Sequence, residues 1–225
     1  MNKDLIIDAG KTGVEIALLE DKRLVELHQG NSESTHLVGD IYLGQVKKLL
    51  PGLNAAFIDV GSKKDGFLHY LDLGLYYKAL EKFTKICMSG GGDSMDFAKL
   101  KEPKLEKSGK IVETLKQGQV ILVQVSKEAI STKGPRLCTE ISFAGRYLVL
   151  VPFSEKVSVS QKIKSAEERN RLRKLIKSIK PDNFGIIIRT IAEGKSVAEL
   201  DADLKDLLSK WESIKKKLPK ALPPT

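Results

Sequence analysis

Two phenylalanines in the segment NAAFIDVGSKKDGFLH, residues 54–69, stand where aromatic rings could stack on nucleic-acid bases. Alternation along a strand puts Phe57 on the same face as Asp59, and Ile58 on the opposite face. Rings on a polar strand face can stack on the bases of a single strand while lysines follow its phosphates. A phenylalanine in a strand is also a common core residue. The pattern alone leaves both interpretations open for Phe57 and Phe67.

The charge balance of the chain predicts a polyanionic partner. The 225 residues include 38 Lys and Arg against 29 Asp and Glu, so the formal net charge is +9 and the pI is about 9.4. Basic side chains gain affinity for nucleic acid by releasing counterions from its phosphates. Composition does not separate RNA, DNA and acidic lipid, and a solvated basic surface without a ligand is the alternative.

Hydropathy and cysteine use predict a cytoplasmic protein. No window of the sequence reaches the roughly 20 apolar residues of a membrane span. The N-terminus, MNKDLIIDAG, carries Asp4 where a signal peptide has its apolar region. Cys87 and Cys138 have no CxxC or His-rich context, so we predict two free thiols rather than a disulfide or a zinc site.

Short strands are predicted along most of the chain. The first two are joined by the turn Ala9-Gly10-Lys11-Thr12. Alternating residues broken at Pro51-Gly52 and Gly61-Ser62 are typical of a small Greek-key barrel. Between 72 and 110 the periodicity fails, and SGGGDS at 89–94 predicts a flexible loop within an insertion. The predicted strands are 4–8, 13–19, 23–27, several within 41–71, 119–126, 146–151 and 185–190.

Two helices are predicted near the end of the chain. Ser165 with Glu168, and Ser196 with Glu199, form capping-box patterns, and Pro181 ends the first helix. The second helix carries an apolar stripe at helical spacing, whose packing partner the sequence does not identify. The stripe consists of Val197, Leu200, Leu204, Leu207, Leu208, Trp211 and Ile214.

Four motifs in one order carry a family resemblance. The segment GQVKKLLPGLNAAFIDVGSKKDGFLH is similar to the S-one-type RNA-binding barrel, and with DIYLG before it the segment resembles the ribonuclease E/G family. The match continues through STKGPRLCTEISFAGRYLVLVP, IIIRTIAEGKS and DLKDLLSKW. Apart from residues 72–110, the resemblance covers nearly the whole chain.

The resemblance implies an α+β fold. An OB-type five-stranded β-barrel is expected as an insertion after a partial RNase H-like sheet, followed by an α+β 5′-sensor region and a C-terminal helix. Four domains or parts of domains are expected. Residues 1–37 form the first part of the RNase H-like subdomain, and residues 38–138 form the barrel with its insertion at about 72–110. Residues 139–200 form the 5′-sensor region, and residues 201–225 form the helix leading back to the RNase H-like subdomain.

The resemblance also implies a function. Members of the family that the chain resembles are cytoplasmic endoribonucleases that act in rRNA processing and mRNA decay. They depend on magnesium, cleave single-stranded RNA and prefer RNA with a 5′-monophosphate. A guanidinium can fork onto phosphate oxygens while a hydroxyl and a backbone amide complete the site. A salt bridge to a neighbouring carboxylate is the alternative role for Arg189. The resemblance assigns RNA binding to Phe57, Phe67, Lys127 and Lys133, and 5′-phosphate binding to Gly145, Val149, Arg189 and Thr190.

The sequence departs from the family at two places. Gln161 stands where better-known members carry a basic residue in the sensor loop, and Lys162 is adjacent, so the resemblance leaves the strength of 5′-end sensing open. The family's two magnesium-holding aspartates, and the paired-cysteine zinc link that joins its homo-oligomers, belong downstream of the matched segments. We therefore expect no metal site and no catalytic residue within these 225 residues, and no cleavage of RNA by this polypeptide alone.

Three hypotheses about function stay open at this stage. In the first hypothesis the chain is the RNA-binding and 5′-sensing part of an endoribonuclease. In the second it is a stand-alone, non-catalytic RNA-binding module. In the third hypothesis it is an assembly fragment whose apolar stripe, within residues 197–214, binds a protein partner. None of the three involves a membrane, because the basic C-terminal helix has an acidic beginning.

Overall fold

A computed structural model describes residues 2–10, 13–31, 36–130 and 133–225. The chain divides into two compact units, Met1–Leu37 and Val38–Thr225. The second unit holds a closed barrel, a mixed sheet and the longer helices. It therefore contains every residue to which the resemblance assigns a role in binding.

The first unit is a three-stranded antiparallel sheet. Strands β1 (Lys3–Gly10), β2 (Gly13–Glu20) and β3 (Arg23–Asn31) lie in sequence order, with Leu5 opposite Leu18. Asp21 and Lys22 join β2 to β3 with φ angles of 47° and 65°, as in a two-residue hairpin turn. The three predicted strands are confirmed and are longer than predicted. Lys11 and Thr12 of the predicted first turn lie outside the described residues.

The second unit opens with a closed five-stranded barrel. Its strands are β4 (Ile41–Leu50), β5 (Ala55–Asp59), β6 (Gly66–His69), β7 (Val120–Lys127) and β8 (Arg136–Cys138). They close in the order β4-β5-β6-β8-β7, with β6 and β8 parallel and the other four neighbouring pairs antiparallel. This arrangement confirms the predicted five-stranded barrel.

Alternation along the strands fills the barrel interior. Val46, Ile58, Leu68, Val123 and Leu137 point inward, and each is at most 1% exposed. One face of each strand thus buries apolar side chains, which leaves the other face for polar and aromatic residues.

Residues 72–110 contain a helix that the sequence interpretation missed. Helix α1 (Tyr77–Met88) buries Tyr77, Leu80, Phe83 and Cys87, which recur at helical spacing. Tyr77 packs in the barrel core, while Leu80, Phe83 and Cys87 pack in the core of the region that follows the barrel. The prediction that the periodicity fails here was therefore wrong, because α1 joins two cores. A short helix α2 (Ile111–Thr114) precedes β7.

A four-stranded mixed sheet follows the barrel. Strands β9 (Phe143–Ala144), β10 (Leu148–Pro152), β11 (Val157–Val159) and β12 (Phe184–Ile188) lie in the order β11-β12-β10-β9, with only the β11–β12 pair parallel among them. Helix α3 (Ala166–Ile179) begins after Ser165, whose Oγ accepts the Glu168 N–H, and it ends before Pro181 as predicted. The strand signals at 146–151 and 185–190 are likewise confirmed.

The last long helix, α4 (Val197–Lys217), covers this sheet with its apolar stripe. Ser196 and Glu199 form the predicted reciprocal capping box. Leu204 is 1% exposed, and the Trp211 ring stacks on Phe83 of α1 with ring centroids 4.5 Å apart. The hypothesis that this stripe is free to bind a protein partner was wrong, because residues of the same chain bury its centre.

Neither cysteine forms a disulfide, as predicted: Cys87 and Cys138 are free thiols. Burial raises the pKa of the Cys87 thiol to about 11, and it also raises the pKa of Cys138. Both thiols are therefore held in the protonated, unreactive form at neutral pH. No helix within the described ranges is long and apolar enough to cross a membrane.

Candidate RNA-binding face and phosphate site

The register of the barrel strands places two rings and three basic residues in one row. Lys48 on β4 pairs with Phe57 on β5, Phe57 pairs with Phe67 on β6, and Phe67 pairs with Arg136 on β8. Arg136 in turn pairs with Lys127 at the end of β7. We call Lys48, Phe57, Phe67, Arg136 and Lys127 the barrel row. The resemblance identified three of its five members.

The two rings of the barrel row lie on the outer side of the barrel. Phe57 and Phe67 are half-buried, whereas their neighbours Ile58 and Leu68 are fully buried. The ring centroids are 6.1 Å apart and the ring planes meet at 68°, an edge-to-face arrangement. Each ring supports the other while part of its surface faces solvent, so the predicted polar-side position of Phe57 is confirmed.

The basic members of the barrel row are exposed on both sides of the rings. Lys48 and Lys127 are exposed. The Arg136 guanidinium donates to the Asp72 carboxylate through Nε at 2.9 Å and Nη2 at 3.1 Å, which fixes its plane beside Phe67. Sequence reasoning missed Lys48 and Arg136, although each follows the alternation of its strand. Across the barrel, the barrel row therefore runs from one basic residue, through the two rings, to two further basic residues.

Lys133 lies in the segment between β7 and β8 rather than in the barrel row. Its N–H donates to the carbonyl of Ile130 at 2.9 Å, and the two residues form an isolated bridge. At the next residue, Gly134, a Cβ atom would collide with the carbonyl oxygen of Asp65. Gly134, which follows Lys133, therefore packs closely against Asp65, the residue before β6.

The residues predicted to bind a 5′-phosphate meet at one edge of the mixed sheet. Residues 145–147 form a tight turn between β9 and β10, closed by the Gly145 N–H donating to the Leu148 carbonyl at 2.8 Å. Arg189 follows β12, and its N–H donates to the Tyr147 carbonyl at 2.8 Å. Its Nη1 donates to the Gly145 carbonyl at 2.6 Å. The structure therefore brings Arg189 and Gly145 into direct contact.

The environment of Arg189 suits an anion. The guanidinium is exposed, and its partner here is a carbonyl rather than the carboxylate of the alternative interpretation. Because a guanidinium has five N–H donors in a planar fork, other donors are available to a ligand. Arg146 Cζ and Lys195 Nζ lie 5.3 and 5.4 Å from the centroid of the Tyr147 ring, and both add positive charge to the same turn.

Thr190 presents its hydroxyl next to a second hydroxyl. Its Oγ1 lies 2.9 Å from the Ser160 Oγ, which also accepts the Lys162 N–H at 3.3 Å. Gln161 and Lys162 are exposed in this segment after β11. Ser160 was not predicted from the sequence, and it links the Gln161 segment to the Arg189-Thr190 pair.

Val149 contributes an apolar contact surface near the turn. On β10 it pairs with Ala144 of β9 and with Ile187 of β12. Val149 is half-buried and Ile187 is 44% exposed, whereas Leu148 and Leu150 are fully buried on the inner face. The Val149 side chain thus belongs to the outer face of the sheet, beside the turn that holds Gly145.

Carboxylates hold the loops around this edge. Glu168 accepts from Arg171 Nε and Nη2 at 2.6 and 2.7 Å and from the Gly194 N–H at 2.8 Å, and these bonds lower its pKa to about 2. Hydrogen bonds from Lys195 and Ser196 likewise lower the pKa of Glu199 to about 2. Both residues stabilise the turn that follows Thr190.

In the part of the chain that the structure describes, the carboxylates do not assemble into a metal site. Within the described ranges, no three His, Cys, Asp or Glu side chains lie close enough together to hold a metal ion. Asp201 pairs with Lys205 at 2.6 Å, and the Asp203 carboxylate accepts three backbone N–H groups. The residues described here therefore do not fit the magnesium or zinc sites that the resemblance implies for the family.

The fold defines an α+β protein built around a closed five-stranded barrel. Residues 142–225 match the sequence model described as the Ribonuclease E/G family. Over 214 residues, 95% of this chain, the sequence is 35% identical to ribonuclease G of Escherichia coli, and the match covers 40% of that protein. Over 180 residues, 80% of this chain, it is 41% identical to ribonuclease E of a Nostoc species, with 22% of that protein covered.

The chain is thus similar to the Ribonuclease E/G family over residues 142–225, and to ribonucleases G and E over most of its length. A further relative, ribonuclease G of Haemophilus influenzae, is 36% identical over 211 residues, which is 94% of this chain and 39% of that protein. The chain thus spans at most 40% of the length of these curated relatives.

Proposed function

We propose that this chain binds single-stranded RNA across the barrel row and receives the 5′-monophosphate of the RNA beside Arg189. In this proposal the chain supplies the RNA-binding surface and the 5′-end recognition of a magnesium-dependent endoribonuclease that processes and degrades RNA. The observation that carries the proposal is the barrel row itself, in which two half-buried rings stand between exposed cations.

The barrel row matches the physical demands of a single strand. Bases stack on aromatic rings without regard to sequence, at about 1–3 kcal/mol per base. Lys48 lies on one side of the rings and Lys127 on the other. A phosphate on either side of a stacked base can therefore contact a lysine. A duplex hides its base faces, which favours single-stranded RNA as the ligand.

The edge of the mixed sheet matches a terminal phosphate. The Gly145 carbonyl holds one N–H of Arg189, so the remaining donors of the guanidinium are oriented rather than freely rotating. The Thr190 hydroxyl adds a neutral donor, and the outer face at Val149 offers an apolar surface for the first nucleoside. A 5′-hydroxyl end carries no charge for this guanidinium to neutralise, so the site favours a 5′-phosphate.

The proposal assigns binding, not bond cleavage, to the residues described. Asp201 is paired with Lys205, and Asp203 accepts from backbone amides, so both carboxylates have partners within the chain. Magnesium for catalysis, zinc between protomers, homo-oligomers and a cytoplasmic location are proposals for the full-length protein, and they rest on the family resemblance.

Fluorescence anisotropy with matched short RNAs tests the proposal. We expect a single strand to bind more tightly than a duplex of the same sequence, and a 5′-phosphorylated strand more tightly than its 5′-hydroxyl counterpart. The logarithm of affinity should fall with the logarithm of salt concentration by about 0.7 for each phosphate neutralised. Equal affinity for the single strand and the duplex would refute the role of the barrel row.

A further inference from the structure

One carboxylate of helix α4 is bonded to the turn that holds Arg189. The Asp203 carboxylate accepts the N–H groups of Arg146 at 3.0 Å, Tyr147 at 2.9 Å and Leu148 at 2.9 Å. Hydrogen bonds to an ionised carboxylate are among the stronger ones in proteins. Asp203 therefore ties three successive residues of the turn to a helix of 21 residues.

The same turn positions Arg189 in two ways. The Gly145 carbonyl accepts from the Arg189 side chain at 2.6 Å, and the Tyr147 carbonyl accepts from its backbone N–H at 2.8 Å. Both carbonyls belong to the turn 145–147, and the N–H groups of residues 146–148 donate to Asp203. A displacement of the turn would therefore move the guanidinium and the backbone of Arg189 together.

Close packing leaves the turn little freedom to shift. A Cβ atom added to Gly145 would lie 2.7 Å from each carboxylate oxygen of Asp203, which is closer than real Cβ contacts allow. A side chain at 145 would push the Asp203 carboxylate away, so glycine here lets the carboxylate lie against the backbone. On the other side, Leu204 and Trp211 anchor α4 in the hydrophobic core. The carboxylate is therefore held on a rigid element.

We propose that Asp203 is a positioning residue for 5′-phosphate recognition, which acts through the turn 145–148 on the guanidinium of Arg189. This inference rests on the proposed function, since it assigns to Asp203 the orientation of the arginine that receives the phosphate. Asp203 itself does not contact the RNA. Its role is to hold the Gly145 carbonyl where it fixes the fork of Arg189.

The selectivity for a 5′-phosphate separates this role from a purely structural one. A general loss of folding would weaken binding of phosphorylated and hydroxyl RNAs alike. Loss of positioning at Arg189 would weaken only the phosphorylated RNA, because the barrel row binds the rest of either strand. The informative quantity is therefore the ratio of the two affinities, not either affinity alone.

The test compares Asp203→Asn with Asp206→Asn. Asparagine at 203 keeps the shape of the side chain but directs an NH₂ group at backbone N–H donors, so at least one hydrogen bond is lost. Asp206 lies on the same helix and pairs with Lys210 at 2.7 Å, which makes it a matched control. We expect Asp203→Asn to reduce the phosphate-to-hydroxyl affinity ratio by about tenfold, the effect of one charge-assisted hydrogen bond. Affinity for hydroxyl RNA, and both affinities of Asp206→Asn, should stay unchanged.

Amide hydrogen exchange gives a second readout that needs no RNA. Exchange at Arg146, Tyr147 and Leu148 should be faster in Asp203→Asn and unchanged in Asp206→Asn. Faster exchange with an undiminished affinity ratio would overturn the positioning role and leave the proposed phosphate site standing. A parent chain that binds both RNAs equally would overturn the phosphate site itself, and the role of Asp203 with it.

Asp203→Ala keeps the inference testable if Asp203→Asn fails to fold. Alanine removes all three acceptor contacts of Asp203 without placing an NH₂ group opposite the backbone N–H donors, and it favours the helix that carries it. We expect the same loss of selectivity, again with unchanged affinity for hydroxyl RNA. Full selectivity in a folded Asp203→Ala chain would contradict the inference.

Discussion

Replacing Phe57 with alanine distinguishes a ring that stacks on RNA from a ring that holds the barrel together. The side chain is half-buried and meets Phe67 edge to face at 6.1 Å. If one base stacks on this ring, its loss costs about 1–3 kcal/mol of binding, which is about a 5- to 150-fold rise in the dissociation constant.

The expected effect of this substitution on stability is smaller than that of a core substitution. Loss of the ring pair and of partial burial should lower the free energy of unfolding by about 1–2 kcal/mol. Phe83 is fully buried and stacks on Trp211, so Phe83→Ala should cost about 3–5 kcal/mol. The two substitutions therefore differ most clearly in a urea titration.

Anisotropy with single-stranded RNA and urea unfolding form the assay for Phe57→Ala. Leu53→Ala, at a residue 63% exposed on the same barrel, is the surface control and should change neither quantity appreciably. RNA affinity unchanged in a folded Phe57→Ala chain would refute the stacking role. A loss of stability as large as that of Phe83→Ala would show that Phe57 is a core residue.

Three further perturbations test separate parts of the account. Lys48→Ala should reduce the slope of log affinity against log salt by about 0.7, as measured by anisotropy, and an unchanged slope would remove Lys48 from the RNA path. The Arg171 side chain, followed by the Gly194 amide, lowers the pKa of Glu168 to about 2. The contribution of ionised Glu168 to the free energy of unfolding is therefore fully present above its ordinary pKa of 4.5, and it is lost as pH falls from there towards about 2. Glu168→Gln should therefore flatten the stability profile in that window, and a profile identical to that of the parent would contradict this assignment. Leu204→Ala should lower the free energy of unfolding by about 2–5 kcal/mol in urea titrations, and a loss below 1 kcal/mol would argue that the stripe of α4 is not packed as described.

Local patterns predicted the barrel well because its strands have one apolar face. The alternation put Phe57 and Ile58 on opposite faces of the strand, and the structure agrees, with Ile58 in the core. Lys48 and Arg136 follow the same alternation. Their approach to the rings depends on strand pairing across the closed barrel, which no single segment reveals.

Helix α1 was missed because its signals are indirect. Tyr76, at its N-cap position, makes no capping hydrogen bond, and the glycine-rich segment 89–94 follows the helix directly. Its buried set mixes Thr84 and Cys87 with larger apolar residues, which weakens the periodic pattern. The partner of the α4 stripe was missed for the same reason, because it includes Phe83 of α1.

The candidate phosphate site depends on contacts between residues far apart in sequence. The capping-box pattern placed Ser196 at the N-cap of α4 from local rules alone. The bonds from Asp203 to the turn at 146–148 span more than 50 residues, and no local rule predicts them. The roles of Gly145, Val149, Arg189 and Thr190 in phosphate binding stay predictions, now with a geometry that supports them.

The most direct measurement is the affinity of the parent chain and of Arg189→Ala for RNAs that differ only in a 5′-phosphate. Arg189→Lys is the companion variant, since it retains the charge but lacks the planar fork. Measurement at two salt concentrations separates the phosphate site from the screened contribution of surface charge.

We expect the parent to prefer the phosphorylated strand, and Arg189→Ala to bind both strands with the parent's affinity for the hydroxyl strand. Arg189→Lys should recover part of the preference, and recovery should be greatest at low salt. Equal binding of both strands by the parent, or a preference that survives Arg189→Ala, would contradict the central claim.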